Sequence, residues 1–345
     1  MLLSDFDFHL PEELIAQQPL AERAASRMLV VDRQLGTFED RAFRDFPSYM
    51  NAGDCLVLND SRVFPSRLFG HRARAQEGGL WGGEVEVFLT KPVSDDGLTW
   101  TALVWPGKKM RTGERIVVSD ELQIDILGRG DFGERTVRLH PSGDLFEILD
   151  RAGHVPLPPY IRRADAPSDR ERYQTVFARE RGSVAAPTAG LHFTPEILAG
   201  CRDRGAAIAY ITLHVGLGTF QPLRTEVIEE VKLHSETFVV PREAAAAMDG
   251  AKRVVAVGTT AVRAMESAAL HQDAAQGPSE TELFISPGFP FRRTGAMLTN
   301  FHLPKSSLLV LVSAFAGREL MLEAYRHAVA ERYRFFSYGD CMLIV

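Results

Sequence analysis

The sequence predicts an α/β protein, a large mixed or parallel sheet flanked by helices, with a small all-β, barrel-like domain inserted into it. Two regions of the chain carry this prediction. From about Leu68 to Leu139, short β-branched and aromatic segments are separated by Gly, Asp and Pro without a helical period, which is typical of a small antiparallel barrel. From Tyr173 onward, apolar runs of strand length alternate with segments of helical pattern, which favours a sheet with parallel neighbours.

The same two regions set the expected domain boundaries. The first buried run, Cys55 to Leu58, is predicted to be a strand, and we expect the barrel-like domain to be inserted after this first strand. Residues 67–154 then form the inserted domain, and residues 1–66 and 155–345 form one discontinuous α/β domain. The proline-rich segment "GHVPLPPYIRR" is predicted to be the linker that leads back to it.

The elements of the second half follow in order from local signals. "TPEILAGCRDRG" predicts a helix with Thr194 as N-cap, Pro195 in the first helical position and Gly205 beyond its end. We expect strands at "GSVAAP", "AAIAYITLHVG" and "TELFISPG", a strand followed by a helix at "RVVAVGTTAVRAMESAAL", and two helices that meet at Gly317 in "SSLLVLVSAFAGRELMLEAYRHAVAERY".

Composition excludes several classes of protein. The 345 residues carry a net charge of −6 and are 45% hydrophobic, as in an ordinary globular chain. The longest apolar run, "SSLLVLVSAFAG", is too short to span a bilayer, and the N-terminus lacks the basic start and apolar block of a signal peptide. The three cysteines lie far apart without a Cys-x-x-Cys pair, which disfavours a disulfide framework or a zinc site. We therefore expect a cytoplasmic protein without a membrane segment.

Polar and titratable residues follow the predicted strands, at the points where each strand ends. In open α/β sheets, ligands bind beyond the carboxyl ends of the strands, so we expect these residues to share one crevice. They are Asn59, Asp60, Ser61 and Arg62 after "CLVL", Thr188 and His192 after "SVAAP", His214, Gly216, Gly218 and Thr219 after "AYITL", Gly258, Thr259 and Thr260 after "VVAV", and Asn300, His302, Ser337, Tyr338 and Asp340 near the C-terminus. Each has a structural alternative, such as capping, but burying so many polar groups together costs free energy that a functional site would explain.

Known motifs narrow the chemistry of this crevice. "GLGTFQ" lacks the third glycine of the dinucleotide fingerprint, and the chain has no phosphate-loop lysine motif, no Gly-x-Ser-x-Gly and no His-Glu-x-x-His. The ten histidines lack paired metal-ligand spacing, so we expect no metal. Acid–base and electrostatic catalysis by His, Asp and Glu is left. "LHSE" adds His234 and Glu236 to the candidates, with a polar loop as their structural alternative.

Basic residues recur in clusters despite the net negative charge. The clusters are "SRVFPSRLFGHRARA", "GKKMR", "IRRA" and "FRR". Solvated surface is the simpler explanation for any single cluster. One shared patch would suit a nucleic acid, which needs only a local basic face.

Several motifs together closely resemble one known family. "LNDSRV", "GSVAAPTAGLHFT", "HVGLGTF", "LHSE", "VGTTAVRAMES", "TNFHLPKSSLLVLVSAFAG" and "YRFFSYGD" resemble the S-adenosylmethionine:tRNA ribosyltransferase-isomerases of queuosine biosynthesis. The resemblance implies an enzyme that transfers the ribosyl unit of S-adenosylmethionine to 7-aminomethyl-7-deazaguanine at the tRNA wobble position. The unit is isomerised, giving epoxyqueuosine-tRNA with release of adenine and methionine. S-Adenosylmethionine is then a consumed co-substrate, and neither a further cofactor nor a metal is implied.

The resemblance also assigns expected roles to the candidate residues. The reaction needs a base for the carbon beside the sulfonium and an acid that assists adenine departure. The expected catalytic residues are His192, His214 and His302, with Asp60, Glu236 and Asp340 as orienting or charge-facing groups. The expected S-adenosylmethionine-binding residues are Thr188, Gly190, Gly216, Gly218, Thr219, Gly258, Thr259, Thr260, Asn300 and Tyr338. Which histidine is the base stays open.

A tRNA anticodon arm is the partner that the basic clusters would hold. Phosphate contacts would position it while the wobble base enters the crevice. The expected tRNA-binding residues are Arg62, Arg67, Arg72, Arg74, Lys108, Lys109, Arg111, Arg162 and Arg163. We expect the protein to be a monomer.

Two alternatives stay open on the sequence. A methyltransferase or nicotinamide enzyme on a Rossmann-like sheet would need a glycine-rich turn after the first strand, where this chain has "NDSRV". A non-catalytic RNA-binding protein would need exposed aromatic platforms among the basic clusters and would not explain three histidines at strand ends.

Overall fold

The computed structural model of the chain describes residues 1–73, 82–108, 110–130, 133–216, 223, 225–270 and 277–345. Its strands in chain order are β1 (Arg27–Asp32), β2 (Thr37–Ala42), β3 (Asp54–Asn59), β4 (Ser61–Val63), β5 (Arg67–Arg72), β6 (Glu84–Pro92), β7 (Thr99–Trp105), β8 (Arg115–Ser119), β9 (Leu122–Arg129), β10 (Glu134–Pro141), β11 (Glu180–Ser183), β12 (Ala207–Leu213), β13 (Glu236–Val239), β14 (Arg253–Val257), β15 (Ser279–Thr281), β16 (Ala296–Asn300) and β17 (Cys341–Ile344). Its α-helices are α1 (Leu145–Ala152), α2 (Asp169–Arg172), α3 (Pro195–Asp203), α4 (Arg242–Asp249), α5 (Thr259–Leu270), α6 (Ser307–Ala316) and α7 (Arg318–Ala330).

A nine-stranded mixed sheet organises most of these elements. Its strand order is β15-β13-β12-β3-β14-β16-β17-β1-β2. The run from β12 through β3 and β14 to β16 is parallel, whereas β13 pairs antiparallel with β12, and β17 pairs antiparallel with β16. The carboxyl ends of the four parallel strands therefore lie together with the first residues of β13 and β17. We call this the C-terminal end of the sheet.

Helices cover both faces of the parallel strands. Along β3, Cys55 and Val57 point into a core shared with α5, α6 and α7. Leu56 and Leu58 point into a second core shared with α3 and the 3₁₀ helix Phe43–Tyr49. Burial on both faces is the reason that "CLVL" is continuously apolar and does not alternate.

Strands β5 to β10 close into a six-stranded antiparallel barrel, as the sequence predicts. The order around the barrel is β10-β7-β6-β5-β8-β9. Alternate residues point inward, for example Val85, Val87 and Leu89 of β6, as the two-residue period of a strand requires. Helix α1 adds Leu145 and Leu149 to the core of the barrel.

Three predictions about strands are wrong. The barrel is inserted after the third strand of the large sheet, because β1 and β2 precede β3. Strand β2 is an exposed edge strand and therefore has no apolar pattern. "GSVAAP" is a strand only as far as Ser183, and "TELFISPG" only at Thr281. Their remaining apolar residues, such as Ala185 and Ile285, are buried on irregular backbone, and burial without strand pairing leaves the same apolar signal in the sequence.

The predicted helix boundaries of the second half are confirmed. Helix α3 begins at Pro195, and the Thr194 Oγ1 atom accepts a hydrogen bond from the Ile197 N–H at 3.3 Å. Helices α6 and α7 meet at Gly317, whose φ of +91° is a conformation that favours glycine. Within the described ranges, no helix is long and apolar enough to cross a membrane.

Candidate active site

A cavity of about 380 Å³ lies at the C-terminal end of the sheet. Its walls come from the turn after β14, the end of β16, the 3₁₀ helix Thr188–His192 and the first residues of α6. The residues predicted to share one crevice that line it are Thr188, Gly258, Thr259, Thr260, Asn300, His302 and Ser337. A cavity of this volume suits a small organic ligand.

The turn between β14 and α5 brings a helix N-terminus to the cavity. Gly258 has a φ of +89°, which favours glycine, and α5 begins at the next residue. The Thr260 side chain is buried, and its Oγ1 atom accepts a hydrogen bond from Asn59 Nδ2 at 3.2 Å. The first turn of α5 therefore presents backbone N–H groups and the positive end of its dipole.

Helix α6 also begins at this cavity. Lys305, Ser306 and Ser307 all line the wall, and Ser306 is the N-cap, with its Oγ atom 3.2 Å from the Leu309 nitrogen. Two helix N-termini thus converge on one cavity, an arrangement that stabilises a negatively charged group of a ligand.

Asn300, at the end of β16, is held by a chain of hydrogen bonds that includes His192. Its Nδ2 atom donates to the Phe336 carbonyl at 3.0 Å and lies 3.3 Å from His192 Nε2. Because an amide nitrogen only donates, His192 Nε2 is the acceptor, and its Nδ1–H donates to Ser26 Oγ at 2.9 Å. Burial lowers the pKa of His192 to about 4. His192 is therefore a neutral residue that positions Asn300, one layer behind the cavity wall.

His302 is the predicted histidine that the described residues place on the cavity wall. Its Nε2 atom lies 2.9 Å from Thr299 Oγ1, and its backbone N–H donates to the Tyr325 hydroxyl at 3.0 Å. Burial lowers the pKa of His302 to about 3. The neutral imidazole is the form that can accept a proton.

Asp60 does not line this cavity. Its carboxylate accepts hydrogen bonds from Thr212 Oγ1 and from Arg179 Nη2, each at 2.7 Å. The Asp60 side chain is 2% exposed and that of Arg179 is 66% exposed. Burial raises the pKa of Asp60. Asp60 thus anchors an exposed arginine beside a separate groove.

Glu236 and Asp340 also have structural partners at the C-terminal end of the sheet. Glu236 forms a buried ion pair with Arg263 and accepts the Gly216 N–H at 2.9 Å. Asp340 accepts the backbone N–H groups of Arg27 at 2.9 Å and Arg334 at 2.8 Å. Burial raises the pKa of Asp340. These carboxylates tie neighbouring segments together, and neither lines the cavity.

The remaining predicted residues that the structure describes are not among those that line the cavity. His214 packs against Gly182, and burial lowers its pKa. Gly190 packs against Phe177, and the Tyr338 hydroxyl donates to Asp169 at 2.7 Å. Two predicted residues of this group, Gly218 and Thr219, lie outside the described residues.

The sequence prediction missed an aromatic part of the wall. The Tyr160 ring stacks on Phe336 with centroids 4.5 Å apart, and its hydroxyl lies 2.6 Å from Ser337 Oγ. All three residues line the cavity. Tyr160 belongs to the segment "GHVPLPPYIRR". Its proline-rich composition predicted a linker and gave no indication of a cavity wall.

The predicted tRNA-binding residues divide into ion-paired and exposed groups. The ion pairs are Arg67 with Glu86, Arg72 with Glu114, Arg162 with Glu12, and Arg163 with Asp169. Asp169 is buried, so Arg163 also holds the protein framework. Arg62, Lys108 and Arg111 are exposed, whereas Arg74 and Lys109 lie outside the described residues.

The described residues contain no group of three or more His, Cys, Asp or Glu side chains arranged to hold a metal ion.

Comparison with known proteins places the chain in a family. The queuosine biosynthesis protein family matches residues 3–344. A protein from Solibacter usitatus is 64% identical and one from Syntrophotalea carbinolica is 50% identical, and each alignment covers 100% of both chains. Both relatives are named S-adenosylmethionine:tRNA ribosyltransferase-isomerase.

A solved structure resembles the chain over the same length. It is the crystal structure of an S-adenosylmethionine tRNA ribosyltransferase from Thermotoga maritima, 36% identical, with a TM-score of 0.56 over 99% of this chain and 100% of that one. With a family match and relatives that span its whole length, the chain belongs to the queuosine biosynthesis protein family.

Proposed function

We propose that this chain is an S-adenosylmethionine:tRNA ribosyltransferase-isomerase. It transfers the ribosyl unit of S-adenosylmethionine to 7-aminomethyl-7-deazaguanine at the tRNA wobble position and isomerises it, giving epoxyqueuosine-tRNA, adenine and methionine. The observation that carries the proposal is the cavity on which His302, Asn300 and the N-termini of α5 and α6 converge. The full-length identity to relatives with this named activity supports it.

His302 is our candidate for proton transfer in this cavity. Its ring lies on the cavity wall and is neutral, because burial lowers its pKa to about 3. Its position makes it the candidate that removes the proton from the carbon beside the sulfonium, although burial also makes the ring a weaker base than a free imidazole. Asn300, held by His192, supplies an oriented amide on the same wall.

The helix N-termini give the cavity a polarity that suits S-adenosylmethionine. The carboxylate of its methionine part would lie near the first turn of α6, at Ser306 and Ser307, and the first turn of α5 would contact the nucleoside. S-Adenosylmethionine is consumed as a co-substrate in this proposal, and no further cofactor or metal takes part. His214, Asp60, Glu236 and Asp340 support the site from behind, together with Gly190, Gly216 and Tyr338.

The tRNA anticodon arm is the proposed second substrate. Lys108 and Arg111 are exposed, and Trp105, at the end of β7, is 72% exposed. Exposed cations and an exposed aromatic ring in one segment of the barrel suit a single-stranded RNA loop. We assign residues 67–154 to the inserted domain that carries this surface and residues 1–66 and 155–345 to the catalytic domain. The protein acts as a monomer in the cytoplasm, where its tRNA substrate lies.

The function is tested by incubating the purified chain with S-adenosylmethionine and tRNA that carries the aminomethyl-deazaguanine base. Free adenine is measured by chromatography, and the modified nucleoside by mass spectrometry. We expect adenine release together with a ribosyl-derived increase in mass. An increase of one methyl group would identify a methyltransferase instead, and tRNA binding without any product would identify a non-catalytic RNA-binding protein.

Charge reversal on the barrel tests the tRNA surface separately. Changing Lys108 and Arg111 to Glu should weaken tRNA binding and leave the affinity for S-adenosylmethionine unchanged, because phosphate contacts are lost far from the cavity. Equal loss of both affinities would contradict the role of this surface.

A further inference from the structure

A second groove lies outside the cavity already described, where Asp60, just after β3, meets α3 and β12. It has a volume of about 410 Å³ and is lined by Val176, Phe177, Arg179, Leu198, Arg202 and Tyr210, with Asp60 at its base. We call it the Phe177 groove. Its residues take no part in the chemistry proposed above, although Asp60 belongs to the strand-end motif "NDSRV".

Aromatic rings form one side of the Phe177 groove. The rings of Phe177 and Tyr210 have centroids 6.1 Å apart, and both side chains are half-buried. Val176 beside them is 43% exposed. Half-exposed rings on a concave surface are the platforms on which unpaired RNA bases stack.

Arginines form the other side of the groove. Arg179 is exposed, yet its guanidinium is held at 2.7 Å by the buried carboxylate of Asp60 and at 3.0 Å by Glu180. The backbone N–H of Arg179 also donates to the Asp60 carbonyl at 2.7 Å. A guanidinium has five N–H donors, so one that contacts these two carboxylates keeps donors for a phosphate. Arg202, in the last turn of α3, is exposed on the same groove.

Asp60 holds the Arg179 guanidinium in a fixed position. A carboxylate that is 2% exposed loses most of its hydration, which costs free energy unless partners compensate it. Here the buried carboxylate holds the Arg179 guanidinium, and the Asp60 backbone carbonyl holds the Arg179 main chain, although the arginine side chain stays in solvent. Such an anchor pre-organises Arg179 for a ligand that arrives from outside.

One short segment separates the groove from the cavity. Thr188 and Ala189 line the cavity, and the next residue, Gly190, packs against Phe177. A Cβ atom at Gly190 would lie 2.9 Å from Phe177 Cζ and 2.8 Å from Thr175 Cγ2. The 3₁₀ helix Thr188–His192 therefore separates the two sites. A ligand that fills both sites would pass over this single helical turn.

We propose that the Phe177 groove binds a nucleotide of the substrate tRNA that neighbours the modified nucleotide, with its base on Phe177 and Tyr210 and its phosphate on Arg179 and Arg202. The proposal rests on the proposed function, because it needs tRNA as a substrate. Aromatic rings and cations on one concave surface match the two parts of a nucleotide, a base and a phosphate. The groove then holds the anticodon loop open beside the cavity while the wobble base enters it.

The experiment measures the Kd for full-length substrate tRNA at two salt concentrations, with the Kd for S-adenosylmethionine as a parallel measurement. Arg202→Gln should weaken tRNA binding roughly three- to tenfold at low salt and lower the salt slope by about 1. Phe177→Leu should weaken tRNA binding roughly five- to tenfold with an unchanged slope, because stacking is not electrostatic. Both variants should bind S-adenosylmethionine as the wild type does.

Two further variants keep the test interpretable. Arg326→Gln removes an exposed arginine from α7 and should leave tRNA binding unchanged. Arg179→Lys keeps the charge beside Asp60 but loses the planar fork, so it should weaken tRNA binding and leave the salt slope unchanged. Arg202 is exposed on a helix surface, so its loss should not prevent folding.

Each outcome decides the proposal. If Arg202→Gln and Phe177→Leu bind tRNA as tightly as Arg326→Gln does, the groove does not hold RNA and the inference is wrong. Equal loss of tRNA and S-adenosylmethionine affinity would also overturn it, because the groove would then only support the cavity. A wild-type protein that neither binds tRNA nor releases adenine would instead contradict the proposed function itself.

Discussion

The centre and the flanks of the C-terminal end of the sheet carry similar polar residues but use them differently. At the centre, around the ends of β14 and β16, His302 and Asn300 are neutral and line a cavity. On the flanks, Asp60, Glu236 and Asp340 are buried carboxylates that hold arginines or backbone N–H groups. The difference lies in the partners, because the flanking carboxylates bond to groups from distant segments of the chain, whereas the His302 ring contacts Thr299, three residues away.

The largest effect is expected at the centre of the site. His302→Gln should lower the rate of adenine release about 10²- to 10⁴-fold, because general acid–base catalysis contributes that much, while S-adenosylmethionine still binds. Single-turnover kinetics with substrate tRNA would measure it. His327→Gln, beside Asp40 of the edge strand β2, is the control. A loss of less than threefold in His302→Gln would show that His302 is not catalytic. The centre would then not differ from the flanks in this respect.

The next largest effect is expected for a residue on a flank, and it is a change in the free energy of unfolding. Arg263→Met should lower the free energy of unfolding by about 3–5 kcal/mol, because it leaves the buried Glu236 carboxylate without its ion-pair partner. Urea denaturation would measure the change. The double variant Glu236→Gln/Arg263→Met should recover part of the loss. No recovery would mean that packing around Arg263, and not the buried charge, sets the cost.

The pH dependence of the free energy of unfolding tests whether the buried histidine His192 is neutral in the folded protein. Burial lowers the pKa of His192 to about 4, so between about pH 6.5 and 4 the unfolded chain binds a proton that the folded chain does not. Stability is therefore present above pH 6.5 and lost as the pH falls through this window, by up to about 1.4 kcal/mol per pH unit for this residue.

The matched variants for this titration are His192→Gln and His9→Gln. His192→Gln should flatten the dependence of unfolding free energy on pH within the window, because it removes one titrating group. His9→Gln, at an exposed position, is the control for the loss of a histidine. Identical profiles for all three proteins would show that His192 is protonated as readily when folded as when unfolded.

The smallest effect is expected just beyond the site, where the chain only starts a helix. Thr194→Ala removes the side-chain cap of α3 and should cost about 1 kcal/mol of unfolding free energy. Adenine release should be unchanged under conditions where the protein is folded. Thr194→Ser, which retains the capping oxygen, is the control. A large loss of activity in Thr194→Ala would extend the site from Thr188 across the whole segment.

Local signals were sufficient wherever neighbours in sequence decide the structure. Thr194 and Pro195 predicted the start of α3. The turn at Gly258 predicted the strand-to-helix junction that lines the cavity. His302 and Asn300 were found because residues after apolar strands meet at one end of a parallel sheet. The sequence did not predict that the Asp60 side chain points to Arg179 and not into the cavity, because Arg179 lies 119 residues away in sequence. Tyr160 was missed because its role depends on Phe336 and Ser337, from the other end of the chain.

The sequence by itself determined the barrel, the helix boundaries of the second half and the family to which the chain belongs. Capping residues, apolar periods and glycine turns act over a few residues, so a short window contains all the interactions that decide them. Only the tertiary structure decided which strand-end residues face the cavity and which hold the framework. That choice depends on partners brought together by folding, since a buried charge is stable only where another part of the chain supplies its counter-charge or hydrogen bonds.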